Sequence, residues 1–175
     1  MNNKPIRKHL RLPFYDYSQY GCYFVTICTH QRQLLFGEIE NGKMHLNEIG
    51  ELVHQALFSV LQEYTKSEIP YYVIMPNHLH FIWFNQDHVS LSFVVKIIKG
   101  RASFAYRQYN LKQNRPLLPL WQRGFYDHII RDDRDYERVA EYIENNPIMW
   151  ELDKLNPAFD ENFPKTGGLK PAPTK

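Results

Sequence analysis

The sequence predicts an α+β fold, an antiparallel sheet of four main strands with two helices on one face and a third helix after the last strand. Three observations lead there. Runs rich in β-branched and aromatic residues recur at 22–29, 69–75, 78–84 and 125–131, the composition of strands. Ile49, Leu52, Val53, Ala56, Leu57, Val60, Leu61 and Tyr64 repeat at three- and four-residue spacing, which lines one face of a helix. A second helical stretch, 90–110, falls between the third and fourth strand runs.

Taken in order, residues 1–19 form a basic arm carrying Lys4, Arg7, Lys8 and Arg11. The run 22–29 reads as a central strand. Residues 36–46 hold Asn41-Gly42, the signal of a tight hairpin turn. Asn47 caps the first helix, whose apolar stripe must pack on a sheet. Residues 69–75 form the second strand, Pro76-Asn77 a turn, and 78–84 the third strand. The helix at 90–110 has a weak point at Gly100, and the Pro-rich stretch 115–120 is a loop. After the strand at 125–131, Asp132 or Asp133 caps a last helix that runs to Asn146 and is stopped by Pro147. The order β-α-β-β-α-β is the ferredoxin-like split βαβ arrangement. It leaves the sheet face opposite the two main helices open to a ligand or to the last helix. Residues 20–150 are expected to form one domain and 151–175 a C-terminal extension, whose Pro/Gly/Lys-rich end, 164–175, is expected to be disordered.

With 175 residues, 43% hydrophobic and 15% aromatic, the chain suits one domain with a core of its own. The basic start has no apolar targeting core and no stretch approaches a membrane span, so a cytoplasmic protein without membrane contact is expected. Cys22 and Cys28 stand six residues apart on one predicted strand, roughly 20 Å from each other, beyond disulfide reach. They are expected to be reduced core residues, and no structural zinc pattern accompanies them. The net charge of +2 conceals a strong asymmetry. No acidic residue occurs between Asp87 and Asp127, where Lys96, Lys99, Arg101, Arg107, Lys112, Arg115 and Arg123 alternate with Phe104, Tyr106, Tyr109 and Trp121. Phosphate-neutralising cations beside aromatic rings are what single-stranded nucleic acid binding uses.

His78 and His80 stand two apart in an apolar strand run, so both point to one face of the sheet. A buried neutral pair needs hydrogen-bond partners or a metal. On its own the pair reads more readily as two satisfied half-buried histidines than as ligands. In the last helix Tyr142 and Asn146 lie four apart, on one face and one turn from each other. If that helix crosses the sheet near the third strand, two imidazole nitrogens and a carboxamide oxygen form a facial ligand set with open positions. Such a set suits Mg²⁺ or Mn²⁺ better than structural zinc.

Val73-Ile74-Met75-Pro76-Asn77-His78-Leu79-His80, then Lys99-Gly100, then residues 120–131 from Leu120-Trp121 to Ile130-Arg131, and finally Tyr142-Ile143-Glu144-Asn145-Asn146-Pro147 together resemble the IS200-like Y1 transposases of the HUH endonuclease class. Within that family the chain is most similar to the REP-associated tyrosine transposases. The resemblance spans residues 20–150 and implies that they form the catalytic domain. It implies that His78 and His80 are the metal-binding histidines, Asn146 the third ligand and Tyr142 the nucleophile. It further implies cleavage of single-stranded DNA through a 5′-phosphotyrosine intermediate at hairpin-bearing sequences such as REP elements, with Mg²⁺ or Mn²⁺ as cofactor. Lys99 matches the family's helix lysine, a helper at phosphate or water. The basic segment and the arm residues Arg7, Lys8 and Arg11 would follow the DNA, and the protein would act as monomer or homodimer. A non-catalytic single-strand-binding module of ferredoxin-like fold is the alternative.

Overall fold

The computed structural model describes residue 12 and residues 14–159. The arm residues Lys4, Arg7, Lys8 and Arg11, and the disorder expected at 164–175, lie outside the described residues. Within them the elements are β1 (Gly21–Cys28), β2 (Gly37–Glu40), β3 (Lys43–Leu46), α1 (Glu48–Ser59), β4 (Tyr72–Met75), β5 (His78–Asn85), α2 (Leu91–Lys112), β6 (Tyr126–Ile130) and α3 (Asp133–Asn145). The four-stranded sheet runs β4-β5-β1-β6 and every pairing is antiparallel. This is the split βαβ order expected from the sequence.

Alternation along the strands divides the molecule into two layers. Tyr23, Val25 and Ile27 of β1 and Leu79, Phe81 and Trp83 of β5 pack with Val53, Leu57, Val94, Val95 and Ile98 of α1 and α2 in the main core. Their neighbours Phe24 and Ile82 point the other way, where Val139 and Ile143 of α3 cover them. Burying an aliphatic side chain such as Ile143 contributes about 2 kcal/mol, so this small second core is what fixes α3 across the sheet.

Local chemistry sets the boundaries. Asn47 caps α1, its side-chain oxygen accepting from the backbone N–H of Ile49 and Gly50. Asn41 and Gly42 both adopt positive φ, 50° and 72°, the geometry the β2–β3 turn requires. Asp132, not Asp133, caps α3 by accepting from Asp135 N–H. β4 begins three residues later than expected, because Pro70 has no N–H to offer the ladder. α2 continues through Gly100 to Lys112, since a side chain there would meet only open space. Cys22 and Cys28 are free thiols. They are partly buried on the α3 face, Cys22 against the second core, because the even positions of β1 face the thinner layer. No helix among the described residues is long and apolar enough to cross a membrane.

Candidate active site

His78 and His80 open β5 on the face that α3 covers, and both are buried, at 0% and 2% exposure. Their ring centroids are 4.4 Å apart. Hydrogen bonds decide which nitrogen each ring presents. Asn77 Nδ2 donates to the carbonyls of Leu155 at 2.7 Å and Arg32 at 3.3 Å, which makes Oδ1 the free acceptor of that carboxamide. Oδ1 lies 2.8 Å from His78 Nδ1, so Nδ1 carries the proton and Nε2 presents a lone pair. Thr26 Oγ1 contacts His80 Nδ1 at 2.8 Å from the adjacent strand, where Thr26 is the register partner of His80. His80 Nε2 is 3.3 Å from the Tyr142 hydroxyl.

The amphipathic pattern of α3 delivers that hydroxyl. Val139 and Ile143 are pinned on Phe24 and Ile82, and this turns Tyr142 toward the histidines, its ring edge-on to Phe24 at 5.9 Å and to His80 at 5.3 Å. Asn146, the residue just beyond α3, is 2% exposed. Its carboxamide is close enough to bias protonation of His78, Tyr142 and Asp153, and its Oδ1 has no hydrogen-bond partner. One chain thus brings together all four predicted site residues.

Asp153 joins them unforeseen. Its Oδ2 lies 3.6 Å from His78 Nε2, and His78, His80 and Asp153 form a group able to hold a metal ion, with ligand atoms within 4.8 Å of one another. The segment that carries it is tied down by Asn77 and by Arg32, whose Nη1 donates to Lys154 O at 3.1 Å, and Trp150 packs 6.1 Å from the His78 ring. Nothing local in the sequence marked Asp153, since its place depends on how the chain turns back after α3. Asn77 and Thr26 were traceable, one by adjacency to His78 and the other by strand register.

Three buried oxygen and nitrogen atoms with lone pairs, His78 Nε2, Asn146 Oδ1 and Asp153 Oδ2, lack a hydrogen-bond donor among the described residues. Acceptors facing acceptors in a dry site are costly, and a cation satisfies all three. Mixed nitrogen and oxygen ligands without thiolate suit Mg²⁺ or Mn²⁺. The electrostatics agree. Burial drives the His78 pKa well below its ordinary value, with the neighbouring His80 adding to the effect, and burial takes His80 to about 3. Both rings are therefore neutral, as metal ligands must be. Burial raises the Asp153 carboxyl, and burial followed by the charge of Asp153 raises the Tyr142 phenol.

The predicted DNA-contacting residues separate into two groups. Lys96, Arg107, Lys112 and Arg123 are exposed. Lys99 donates to the carbonyls of Gln122, Arg123 and Gly124 at 2.6, 3.2 and 3.2 Å. An ammonium with three donors is occupied by three carbonyls in this arrangement, and a role at phosphate or water would require it to leave them. Arg101 contacts Ser59 and Glu63, bracing α2 on the end of α1. Arg115 lies over the Tyr109 ring at 5.4 Å.

Comparison with known proteins agrees with this geometry. Residues 17–146 match the family model described as "Transposase IS200 like". An uncharacterized protein of Haemophilus influenzae is 35% identical over 172 residues, covering 85% of this chain and 92% of its own length. The REP-associated tyrosine transposase of Escherichia coli is 29% identical over 85 residues, covering 46% of this chain and 44% of its own. Among solved structures, a REP-associated tyrosine transposase bound to a REP hairpin superposes with a TM-score of 0.60 at 26% identity, covering 82% of this chain and 76% of that one.

Proposed function

Since the chain belongs to the IS200-like transposase family, we propose that it is a metal-dependent single-strand DNA endonuclease and strand-transferase in which Tyr142 is the nucleophile. The observation that carries this reading is the convergence of the Tyr142 hydroxyl and His80 Nε2, 3.3 Å apart, beside three buried acceptors that lack a donor among the described residues. A purely binding module has no use for such a cluster. The solved relative that carries a REP hairpin supports hairpin-bearing single strands as the substrate class.

His78, His80 and Asn146 would hold Mg²⁺ or Mn²⁺, which supplies charge stabilisation at a non-bridging phosphate oxygen. The chain's own groups do the rest. Asn77 and Thr26 fix the imidazole orientations. The buried Tyr142 oxygen attacks phosphorus, the bond to the 3′ oxygen breaks, and the strand divides into a 5′-phosphotyrosine and a free 3′-OH. In the metal-free arrangement the phenol contacts His80 Nε2; with His80 on the ion, the phenolic proton passes to solvent and the departing 3′ oxygen takes one up, so protons balance. A phenol is a good enough leaving group that another 3′-OH reverses the step, which gives strand transfer rather than hydrolysis. Phosphates flanking the scissile bond would run over Lys96, Arg107, Lys112, Arg115 and Arg123, with Arg101 at the edge and the arm residues Arg7, Lys8 and Arg11 gripping the hairpin foot. Residues 20–150 would be the catalytic domain, acting within the cytoplasm, and a single chain supplies all the reacting groups.

The test is incubation with a hairpin oligonucleotide labelled downstream of candidate cleavage positions, with and without Mg²⁺. Label retained on the denatured protein only when Mg²⁺ is present supports the reading. Release of a free 5′-phosphate product, with no retained label, contradicts it.

A further inference from the structure

A cleft of about 500 Å³ lies between α2 and the Pro-rich loop, away from the imidazole cluster and within the size range of ligand pockets. Leu117 and Leu118 form an exposed apolar lip, and the buried Tyr106 and Trp121 supply the inner walls. Two polar groups stand among them. Asn110 lines the cleft and is 3% exposed. Arg107 lines it too and is exposed. Trp121, a third lining residue, has a buried indole Nε1 with no hydrogen-bond partner among the described residues, and a buried N–H left without an acceptor costs stability unless something that enters the cleft accepts from it.

The cleft also has a fixed relation to the histidines. His30 N–H donates to Leu120 O and Gln122 N–H to Cys28 O, each at 2.9 Å, so the cleft's outer wall is joined to the end of β1. Cys28 is in turn the register partner of His78. A DNA strand leaving the imidazole cluster has this cleft one strand away.

We propose that the cleft binds an unpaired adenine of the single-stranded DNA, its N6/N7 edge paired with the Asn110 carboxamide and its phosphate with Arg107. The proposal rests on the reading of the chain as a single-strand DNA transposase and adds a base-reading pocket to it. A carboxamide pairs in bidentate fashion with adenine, the apolar walls take the faces of the ring, and a surrounding segment without acidic side chains suits the phosphate. An apolar peptide or a second copy of the chain fits less well, because it does not pair with Asn110 and Arg107.

The experiment measures equilibrium binding of fluorescent short single strands of dA, dC, dT and all-abasic backbone to the Tyr142→Phe protein, which cannot cleave. The dA strand is expected to bind about tenfold tighter than the abasic strand. Adding Asn110→Ala should abolish that preference while leaving abasic affinity unchanged, and Arg107→Gln should weaken all four strands alike and flatten their salt dependence. Should Asn110→Ala fail to fold, photocross-linking of an 8-azidoadenine strand to the folded Tyr142→Phe protein decides instead. Cross-links within residues 99–122 support the pocket, and cross-links only elsewhere overturn it. Equal affinity for dA and the abasic strand also overturns it, as does a change of oligomeric state with Arg107→Gln. If the wild-type protein forms the covalent DNA adduct but shows no dA preference, only the pocket falls. If it binds no single strand at all, the transposase reading falls with it.

Discussion

The Tyr142 hydroxyl and His80 Nε2 lie 3.3 Å apart, and both belong to the same chain. A nitrogen that ligates a cation through its lone pair can no longer hydrogen-bond the phenol. The structure shows the two in contact, and a cation on Nε2 would release Tyr142 from His80 and free the phenol for attack.

Because the chain's own α3 supplies Tyr142, mixing Tyr142→Phe with His80→Ala should not restore adduct formation, and the adduct rate should be first order in protein. Recovery of about a quarter or more of wild-type adduct in the mixture, as random exchange of helices between subunits would give, would show a site shared across a dimer.

Asn77 sets the His78 tautomer through its Oδ1 and ties down the segment after α3 through its Nδ2. Asn77→Ala should weaken Mn²⁺ binding about 10- to 100-fold and destabilise the fold by about 1–3 kcal/mol. Calorimetric titration and urea unfolding read the two effects separately, and unchanged Mn²⁺ affinity would remove Asn77 from the account.

Asp153 is a buried carboxylate whose Oδ1 accepts from the Leu155 N–H at 2.8 Å, and burial still raises its pKa against the easing effects of that bond, Asn146 and Arg32. Asp153→Asn should leave metal-free stability equal or higher, since a charge that burial disfavours is removed while the Oδ1 acceptor is kept. The rise in Tm on adding Mn²⁺ should shrink in the same variant. An undiminished metal-dependent shift would mean that Asp153 does not face the ion.

Both histidines are held neutral by burial, His80 with a pKa of about 3 and His78 well below its ordinary value. The unfolded chain takes up protons below about pH 6.5, whereas the folded one does not. Stability is therefore fully present above that pH and lost as the pH falls toward 3, by up to about 1.4 kcal/mol per pH unit for each ring. Urea unfolding of the metal-free protein from neutrality down to about pH 5 should show this slope, and His80→Gln should reduce it. A slope identical in that variant would mean that His80 is not buried neutral.

The strand runs, the α1 stripe and the Asn47 and Asp132 caps announced the fold because each is a local signal, a period or a hydrogen bond within a few residues. His78, His80, Tyr142 and Asn146 were legible for the same reason, as spacings of two and four on one strand and one helix. What brought the two pairs together was not local. The second core of Phe24, Ile82, Val139 and Ile143 decides where α3 lies, and no window of sequence contains it. Asp153 was invisible because its position follows from the return of the chain past His78. The partners of Lys99 were invisible too, because they are backbone carbonyls of the loop before β6, and carbonyls leave no trace in side-chain pattern.

The central claim is that Tyr142 is the nucleophile. Wild-type protein incubated with Mg²⁺ and a hairpin-bearing single strand, then digested with nuclease and protease, should yield under mass spectrometry a nucleotide linked to the Tyr142 peptide. Tyr142→Phe should yield none. A nucleotide on any other residue, or an unchanged adduct in Tyr142→Phe, would contradict the account.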